Sequence, residues 1–328
     1  MKKILFISVL FLAIFKIQGQ ILSDSTAQVV GWWNIGETET YLIVQESFHL
    51  TDGEVSNRQF YRYAVTITII DYTDDYYLIN WHYHDFEVYT DDDFLMYTML
   101  KIMENMTVTI RTCVLGSFQE IVNWEEVRDF SVNAFNIMRQ ETRTQPDLKE
   151  TLEFLDSFFE QFQNLFSTRE VIEANHRDIQ LFYYFHGLQY NLGEKIIANT
   201  QLLNMFGGEP LDAVMTFELV AIYAEDYFFV MRMQQETNPE QLAHATLERI
   251  ANLTEISIRP FIERNELTED DLRVALEEVA NTDVKVSQNL QIVSVVCNSG
   301  WILSASQTRE TVSGDTTKVE KITIDLLP

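Results

Sequence analysis

The chain has 328 residues, of which 46% are hydrophobic, and its 50 acidic residues against 23 basic ones give a formal net charge of −27. This apolar content is sufficient for packed cores and argues against a disordered chain. The negative field repels phosphate groups and anionic lipid surfaces, which argues against nucleic-acid binding.

The first nineteen residues, MKKILFISVLFLAIFKIQG, have the layout of a secretory signal peptide. Lys2 and Lys3 precede an apolar run over 4–15, and Gly19 offers a small residue for cleavage. The run is short for a membrane-spanning helix, which needs ~20 residues, so a retained anchor is the lesser alternative. We therefore expect an exported protein, in the periplasm or outside the cell, with no transmembrane segment after signal cleavage.

Residues 20–122 are predicted to form a first β-rich repeat with one helix. In RYAVTITIIDY (62–72), apolar and polar side chains alternate with the period of two that is typical of a half-buried strand. A tight acidic turn then leads into a second strand over 76–88. The three acids at 91–93 suit the N-terminus of the helix that follows, and calcium binding by them is the lesser alternative.

Residues 123–187 are predicted to be a helical insert. Apolar residues recur at spacings of three and four over 123–140, 146–166 and 168–185, as on the buried face of a helix. Pro146 suits a first helical turn, and Thr168 suits an N-cap.

Residues 188–328 are predicted to be a second β-rich repeat with helices. Strand patterns occupy 289–296 and 318–326, and Thr268 opens a helical pattern that extends to residue 281.

The two β-rich segments share four short patterns in the same order, which indicates an old duplication. The shared patterns are Asn-aliphatic-Gly-Glu at 34–37 and 191–194, an acidic Tyr-rich turn at 72–77 and 223–228, Asn-x-Thr at 105–107 and 252–254, and Cys-x-x-Gly at 113–116 and 297–300. We predict an α+β fold of two duplicated, curved, antiparallel β-sheet units, half-barrel-like, with helices packed between and against them. The hairpin over 62–84 should superpose on the segment over 215–235.

The stretch WHYHDFEVYTDDDF (81–94) looks most like a chemical site. His82 and His84 are two residues apart and should lie on the same face of one strand, as two metal ligands must. We expect Asp85 and Glu87 to point to the opposite face, and a third ligand is not evident, so rim histidines without metal are the preferred interpretation.

The second repeat should lack this histidine pair. Aligning Asp75 with Asp226 places Met233 and Gln235 opposite the two histidines. The shared scaffold therefore does not need them.

The remaining candidates are aromatic residues and cysteines. Large aromatics are usually core residues, but an aromatic sheet face can also hold an apolar ligand. The possible ligand-facing residues are Trp81, Tyr83, Tyr227 and Phe229. The repeat makes Cys113 and Cys297 equivalent but not adjacent, so we predict two separate buried thiols rather than a disulfide. No catalytic residue and no cofactor is assigned.

A resemblance to known proteins rests on the signal peptide, the opening WNIGETETYLIV, the hairpin YTDDYYLINW and the closing SGWILSASQTRETV. The chain resembles a loose group of uncharacterised exported proteins of Gram-negative bacteria. Their sheets are similar to the curved half-barrel of periplasmic lipoprotein carriers with the LolA-like fold. The resemblance implies an apolar ligand, a lipid or a lipoprotein chain held in the sheet.

Two hypotheses follow. The first is a non-enzymatic envelope protein that binds an apolar or extended ligand, or a partner protein, in its sheet concavities. The alternative is a metal-dependent hydrolase that uses His82 and His84.

Overall fold

The computed structural model describes seven ranges of the chain: 21–23, 25–89, 106–144, 168–204, 208–264, 266–282 and 284–328. Three predicted features lie outside these ranges: the signal peptide over 1–19, the acidic helix start at 91–93, and the helix over 146–166.

The first half of the chain is mainly strand. Its elements are β1 (Ile21–Ser23), β2 (Thr26–Gln28), β3 (Thr38–Thr51), β4 (Glu54–Tyr72), β5 (Tyr76–Tyr89), β6 (Thr107–Cys113) and β7 (Phe118–Ile121). Three helices follow: α1 (Trp124–Thr144), α2 (Arg169–Asn175) and α3 (Arg177–Tyr183).

The second half alternates strands and helices. Its elements are β8 (Gln189–Asn191), β9 (Lys195–Leu202), β10 (Leu211–Tyr223), β11 (Phe228–Thr237), α4 (Pro239–Glu263), α5 (Glu269–Ala280), β12 (Val286–Cys297), β13 (Ile302–Ser313) and β14 (Thr316–Leu326). No helix of the described ranges has both the length and the hydropathy to cross a bilayer.

Eleven of the strands form one open antiparallel sheet in the order β7-β6-β5-β4-β3-β14-β13-β12-β11-β10-β9. The prediction of two separate sheet units is wrong on this point, because β14 pairs with β3 from Thr316↔Thr51 to Leu326↔Tyr41 and joins the two halves. A smaller sheet, β1-β2-β8, ties the start of the described chain to the segment after α3.

One face of the large sheet carries the hydrophobic core. On β5, Ile79, Trp81 and Tyr83 are buried, while the residues between them are half-exposed. This alternation is the expected period of two, and it confirms the strand predicted over 76–88. Helix α3 lies against this face, since the Phe182 ring is 5.2 Å from Tyr41 and 5.3 Å from Trp81 between centroids.

The helix predicted over 168–185 is interrupted. Thr168 caps α2 as expected, its side chain accepting a hydrogen bond from the backbone N–H of Val171. The chain then breaks at His176, whose ψ of 65° is not helical, and restarts as α3. Thr268 also caps its helix, and it forms a capping box with Asp271.

The two Asn-x-Gly-Glu segments adopt the same turn. The Asn34 side-chain amide donates to Glu37 at 2.6 Å, and that of Asn191 donates to Glu194 at 2.8 Å. The glycines, residues 36 and 193, have φ of 85° and 79°, in the left-handed region that favours glycine.

The two Cys-x-x-Gly segments also match. The Cys113 N–H donates to the Ser117 carbonyl at 2.9 Å, and the Cys297 N–H donates to the Trp301 carbonyl at 3.0 Å. The segments 62–84 and 215–235 are both antiparallel hairpins with a register shift near the turn. The duplication itself stays a proposal.

Candidate functional site

The predicted histidine pair lies on β5, on the half-exposed face away from the core. The two rings are 5.7 Å apart between centroids. His82 Nδ1 is 3.0 Å from the Thr107 hydroxyl, and His84 Nε2 is 2.9 Å from the Thr66 hydroxyl. His84 Nδ1 is also 2.8 Å from the Asp85 carboxylate.

The expected directions of Asp85 and Glu87 are wrong, since the exposed Glu87 pairs with Arg62 on the same face as the histidines. The φ of Asp85 is 56°, and the register with β4 shifts between Arg62 and Ala64, so Asp85 belongs to a bulge. A bulge adds one residue to the strand and changes which face the next side chains take. Asp85 therefore reaches His84, and Phe86 turns to the core, 5.1 Å from the Tyr63 ring.

The alignment of the second copy is also wrong by one residue. Met233 and Gln235 are buried and face the core, as Trp81 does on β5. The exposed face of β11 carries Gln234 and Glu236 instead. The register shift lies one residue further from the turn in the second hairpin. An alignment made at the turn therefore matches core-facing residues of β11 with solvent-facing residues of β5.

The pair is not joined by further metal ligands. Within the described ranges, no group of three His, Cys, Asp or Glu side chains is placed to hold a metal ion. Both ring nitrogens of His84 already have polar neighbours, so metal binding there would disrupt one of these contacts.

The four aromatics predicted to face a ligand lie in two environments. Trp81, Tyr83 and Phe229 are buried within the core. Tyr227 is 66% exposed on the turn between β10 and β11, with φ of 59°. Their packing favours a structural role for the three buried residues, and a ligand at any of the four stays a prediction.

The two cysteines are free, and both are partly exposed rather than buried as predicted. Each begins the turn that ends its strand, and Cys297 packs against the edge of the hydrophobic core. The Cys297 thiol is 2.9 Å from the Ser299 hydroxyl.

A buried polar network around Asp178 was missed by the sequence analysis. Asp178 lies in the first turn of α3 and is only 3% exposed. The hydroxyls of Tyr63 and Tyr83 donate to the same carboxylate oxygen at 2.9 and 3.0 Å. The Gln45 amide donates to the Tyr63 oxygen at 2.7 Å and accepts from the Tyr61 hydroxyl at 2.7 Å.

The phenols of this network stay protonated. Burial, and then the negative charge of Asp178, raise the pKa values of Tyr63 and Tyr83 well above the usual range. Burial likewise raises the pKa of Tyr61 to about 12. Each hydroxyl is therefore a donor at neutral pH, and the network joins α3 to β3, β4 and β5.

His186 is a second buried polar group that the sequence analysis did not assign to a site. Its Nε2 lies 2.9 Å from the Gly300 carbonyl, and its Nδ1 has no hydrogen-bond partner among the residues that the structure describes. The ring lies 5.7 Å from Trp33 and 5.5 Å from Tyr183 between centroids. Burial lowers its pKa to about 4, so the ring is neutral at pH 7 and Nε2 donates.

The two edges of the large sheet differ. At the β7 edge, the Ile121 N–H donates to the Glu173 carboxylate of α2 at 2.9 Å. Glu120 of the same strand forms ion pairs with Arg111 and, at 2.6 Å, with Arg169 of α2. Helix α2 therefore covers this edge.

The β9 edge is exposed. Its backbone pairs with β10 on one side, and no described strand pairs with the other side. Most side chains of β9 are exposed, including Ile196 and Ile197, the latter 68% accessible. Val214, which is 44% exposed on β10, lies opposite Asn199 and extends the apolar surface. Unpaired strand edges with apolar side chains are ready templates for another strand.

A shallow groove of about 370 Å³ follows one face of α5. It is lined by Leu272, Leu276 and Ala280, with Glu269, Arg273 and Glu277 at its rim. All six residues belong to a single helix, and the groove does not reach the sheet residues predicted to face a ligand.

No protein-family model matches the chain, and no curated protein matches it. A similar solved structure is that of a Bacteroides fragilis protein described as having a YmcC-like fold and as a candidate for export. It is 8% identical, the similarity covers 92% of this chain and 100% of that one, and the TM-score is 0.22. At this score the likeness transfers neither fold nor function. The resemblance to the lipoprotein carriers finds no support in these comparisons.

Proposed function

We propose that this chain is an exported, non-enzymatic binding protein that takes up an extended segment of a partner protein along β9. The observation that carries the proposal is the difference between the two sheet edges. The β7 edge is covered by α2, whereas no strand of the described residues pairs with the outer side of β9, which carries exposed isoleucines.

Addition of a strand to such an edge is a common mode of peptide recognition. The backbone hydrogen bonds supply affinity, and alternate side chains supply specificity. Ile196, Ala198, Thr200 and Leu202 continue the core face of the sheet, because their partners in β10 include Phe217 and Met215. A segment beside β9 would shield these half-covered side chains from water.

The sheet face where an apolar ligand was expected is occupied by α3. Phe182 and Tyr183 pack against Trp81 on this face, with ring centroids 5.3 and 6.0 Å away. This packing favours an extended protein segment at the edge over a lipid held on the face.

Export is supported by the N-terminal sequence. The basic start, the apolar run and Gly19 are the features on which this part of the proposal rests. This N-terminal sequence fits the periplasm and the extracellular space equally.

The test is selection of short peptides from a random display library against the wild-type protein. Selected peptides should slow amide hydrogen exchange in residues 195–202, and Ile197→Asp should weaken their binding by about tenfold or more because it places a charge in the apolar edge. Val55→Asp is the matched control, since Val55 is a 56% exposed residue of β4, a strand that does not pair with β9. Peptides that protect other strands, or that bind Ile197→Asp normally, would refute the proposal.

A further inference from the structure

The position of β3 in the first half of the sheet corresponds to that of β9 in the second half. The same Asn-x-Gly-Glu turn precedes each strand. The strand order β7-β6-β5-β4-β3 in one half is matched by β13-β12-β11-β10-β9 in the other. The outer edge of β3 is occupied by β14, whereas that of β9 has no described strand.

The strand β14 therefore shows what fits this kind of edge. It runs antiparallel to β3, and its Ile322 and Ile324 are buried beside Gln45 and Ile43. The first half of β14 carries Lys318 and Lys321, and Lys321 lies directly opposite Glu46 on β3. Opposite charges on directly facing residues stabilise a strand pair.

The surroundings of β9 are acidic at its C-terminal end. At its start, Glu218 and the exposed Glu194 are balanced by Lys195, which lies opposite Glu218, and by Arg232, which forms an ion pair with Glu218 at 3.6 Å. Exposed Glu209 follows its end, and Asp212 lies opposite Gln201. The chain as a whole also carries a net charge of −27, which opposes the approach of a second copy of itself.

Resting on the proposed function, we infer that the partner segment is a basic one: a β-branched centre preceded by Lys or Arg, bound antiparallel to β9. The β-branched residues lie beside Ile196 and Ile197, and the N-terminal cations meet Glu209 and Asp212 at the C-terminal end of β9. Isoleucine, valine and threonine suit the centre, because they fit a pleated and half-buried surface.

The probe is a synthetic peptide with the sequence of β14, residues 316–326, in three forms. The first is unchanged, the second carries Glu320→Lys and Asp325→Lys, and the third carries Lys318→Glu and Lys321→Glu. The basic form should bind the full-length chain about tenfold or more tighter than the acidic form at low salt, and the difference should shrink as salt screens the charges. Asp212→Asn combined with Glu209→Gln should reduce this difference, and Ile197→Asp should weaken all three forms.

The outcomes separate the two proposals. If acidic and basic peptides bind equally and Ile197→Asp still weakens both, the charge inference is overturned while β9 remains the binding edge. If library peptides protect β9 but no form of the β14 peptide binds, the β14 template is wrong. If the protein alone sediments as a dimer that Ile197→Asp dissociates, the occupant is a second copy of the chain and the basic partner is excluded.

Discussion

The two histidines on β5 are held by polar neighbours of their own strand and the adjacent ones. His82 contacts Thr107 through Nδ1, and His84 contacts both Thr66 and Asp85, so three of the four ring nitrogens have polar neighbours. The double variant His82→Ala with His84→Ala should remove at most about 1 to 4 kcal/mol of stability, the usual range for three such hydrogen bonds. The wild type should have the same melting temperature in added zinc as in EDTA. A zinc-dependent rise of several degrees that the double variant loses would contradict this and favour the hydrolase.

His186 is expected to make the protein sensitive to acid. Its pKa is lowered from 6.5 to about 4 in the folded chain, so the unfolded chain binds this proton more readily. Its contribution to stability is therefore complete above about pH 6.5 and is lost as the pH falls towards 4, by roughly 1.4 kcal/mol per pH unit. Urea unfolding at several pH values should show a flatter acid profile for His186→Gln than for wild type.

The control for His186 is His244→Gln, because His244 is exposed on α4 and should leave the acid profile unchanged. Parallel profiles for wild type and His186→Gln would show that the carboxylates alone cause the loss of stability in acid.

At the scale of elements, the Asp178 carboxylate adds buried hydrogen bonds to the aromatic packing that holds α3 on the sheet. Replacing Asp178 by alanine leaves the buried hydroxyls of Tyr63 and Tyr83 without their acceptor. Since each unsatisfied buried donor costs about 1 to 3 kcal/mol, Asp178→Ala should lower the free energy of unfolding by about 2 to 5 kcal/mol. Asp178→Asn should cost less, because its amide oxygen still accepts from the phenols.

Chemical unfolding measures these differences, with Asp129→Ala on the exposed face of α1 as the control. An effect of Asp178→Ala no larger than that of Asp129→Ala would mean that the network does not stabilise the packing of α3.

The paired turns before β3 and β9 offer a direct comparison. A Cβ at Gly36 or Gly193 would meet no atom within 4 Å, but both residues have positive φ. An L-residue in this conformation costs roughly 1 to 2 kcal/mol, so Gly36→Ala and Gly193→Ala should each reduce stability by about that amount. Thermal unfolding of the two variants should give equal losses within error. A clear inequality would show that the two turns are not energetically equivalent.

The alternation of side chains was sufficient to predict the strand over 62–72, since a period of two is a local property of the sequence, and the repeated patterns led to the hairpin over 215–235. The alternation was not sufficient at Asp85, which has a positive φ and forms a bulge. The bulge changes the face that each later residue of β5 takes. Asp178 gave no local signal either, because its partners Tyr63 and Tyr83 lie about a hundred residues earlier in the chain. The pairing of β14 with β3 joins residues that are still further apart, and no periodicity encodes it.

At the scale of the whole molecule, β14 decides whether the two halves unfold together. The sequence suggests separate units over 20–122 and 188–328, but β14 hydrogen-bonds to β13 on one side and to β3 on the other. A continuous sheet with one shared core face should unfold in a single cooperative transition, with equal calorimetric and van't Hoff enthalpies.

The sharper test of this continuity is a cavity at the junction between the halves. Ile324 of β14 is fully buried between Ala305 of β13 and Ile43 of β3. Ile324→Ala should cost about 2 to 5 kcal/mol, the usual range for a buried isoleucine, and the loss should appear equally in both halves. Hydrogen exchange measured across a urea series should therefore show β5 and β11 losing protection at the same, lowered midpoint, whereas Val55→Asp should move neither. If β11 loses protection in Ile324→Ala while β5 keeps its wild-type midpoint, the halves are independent units that only share an edge.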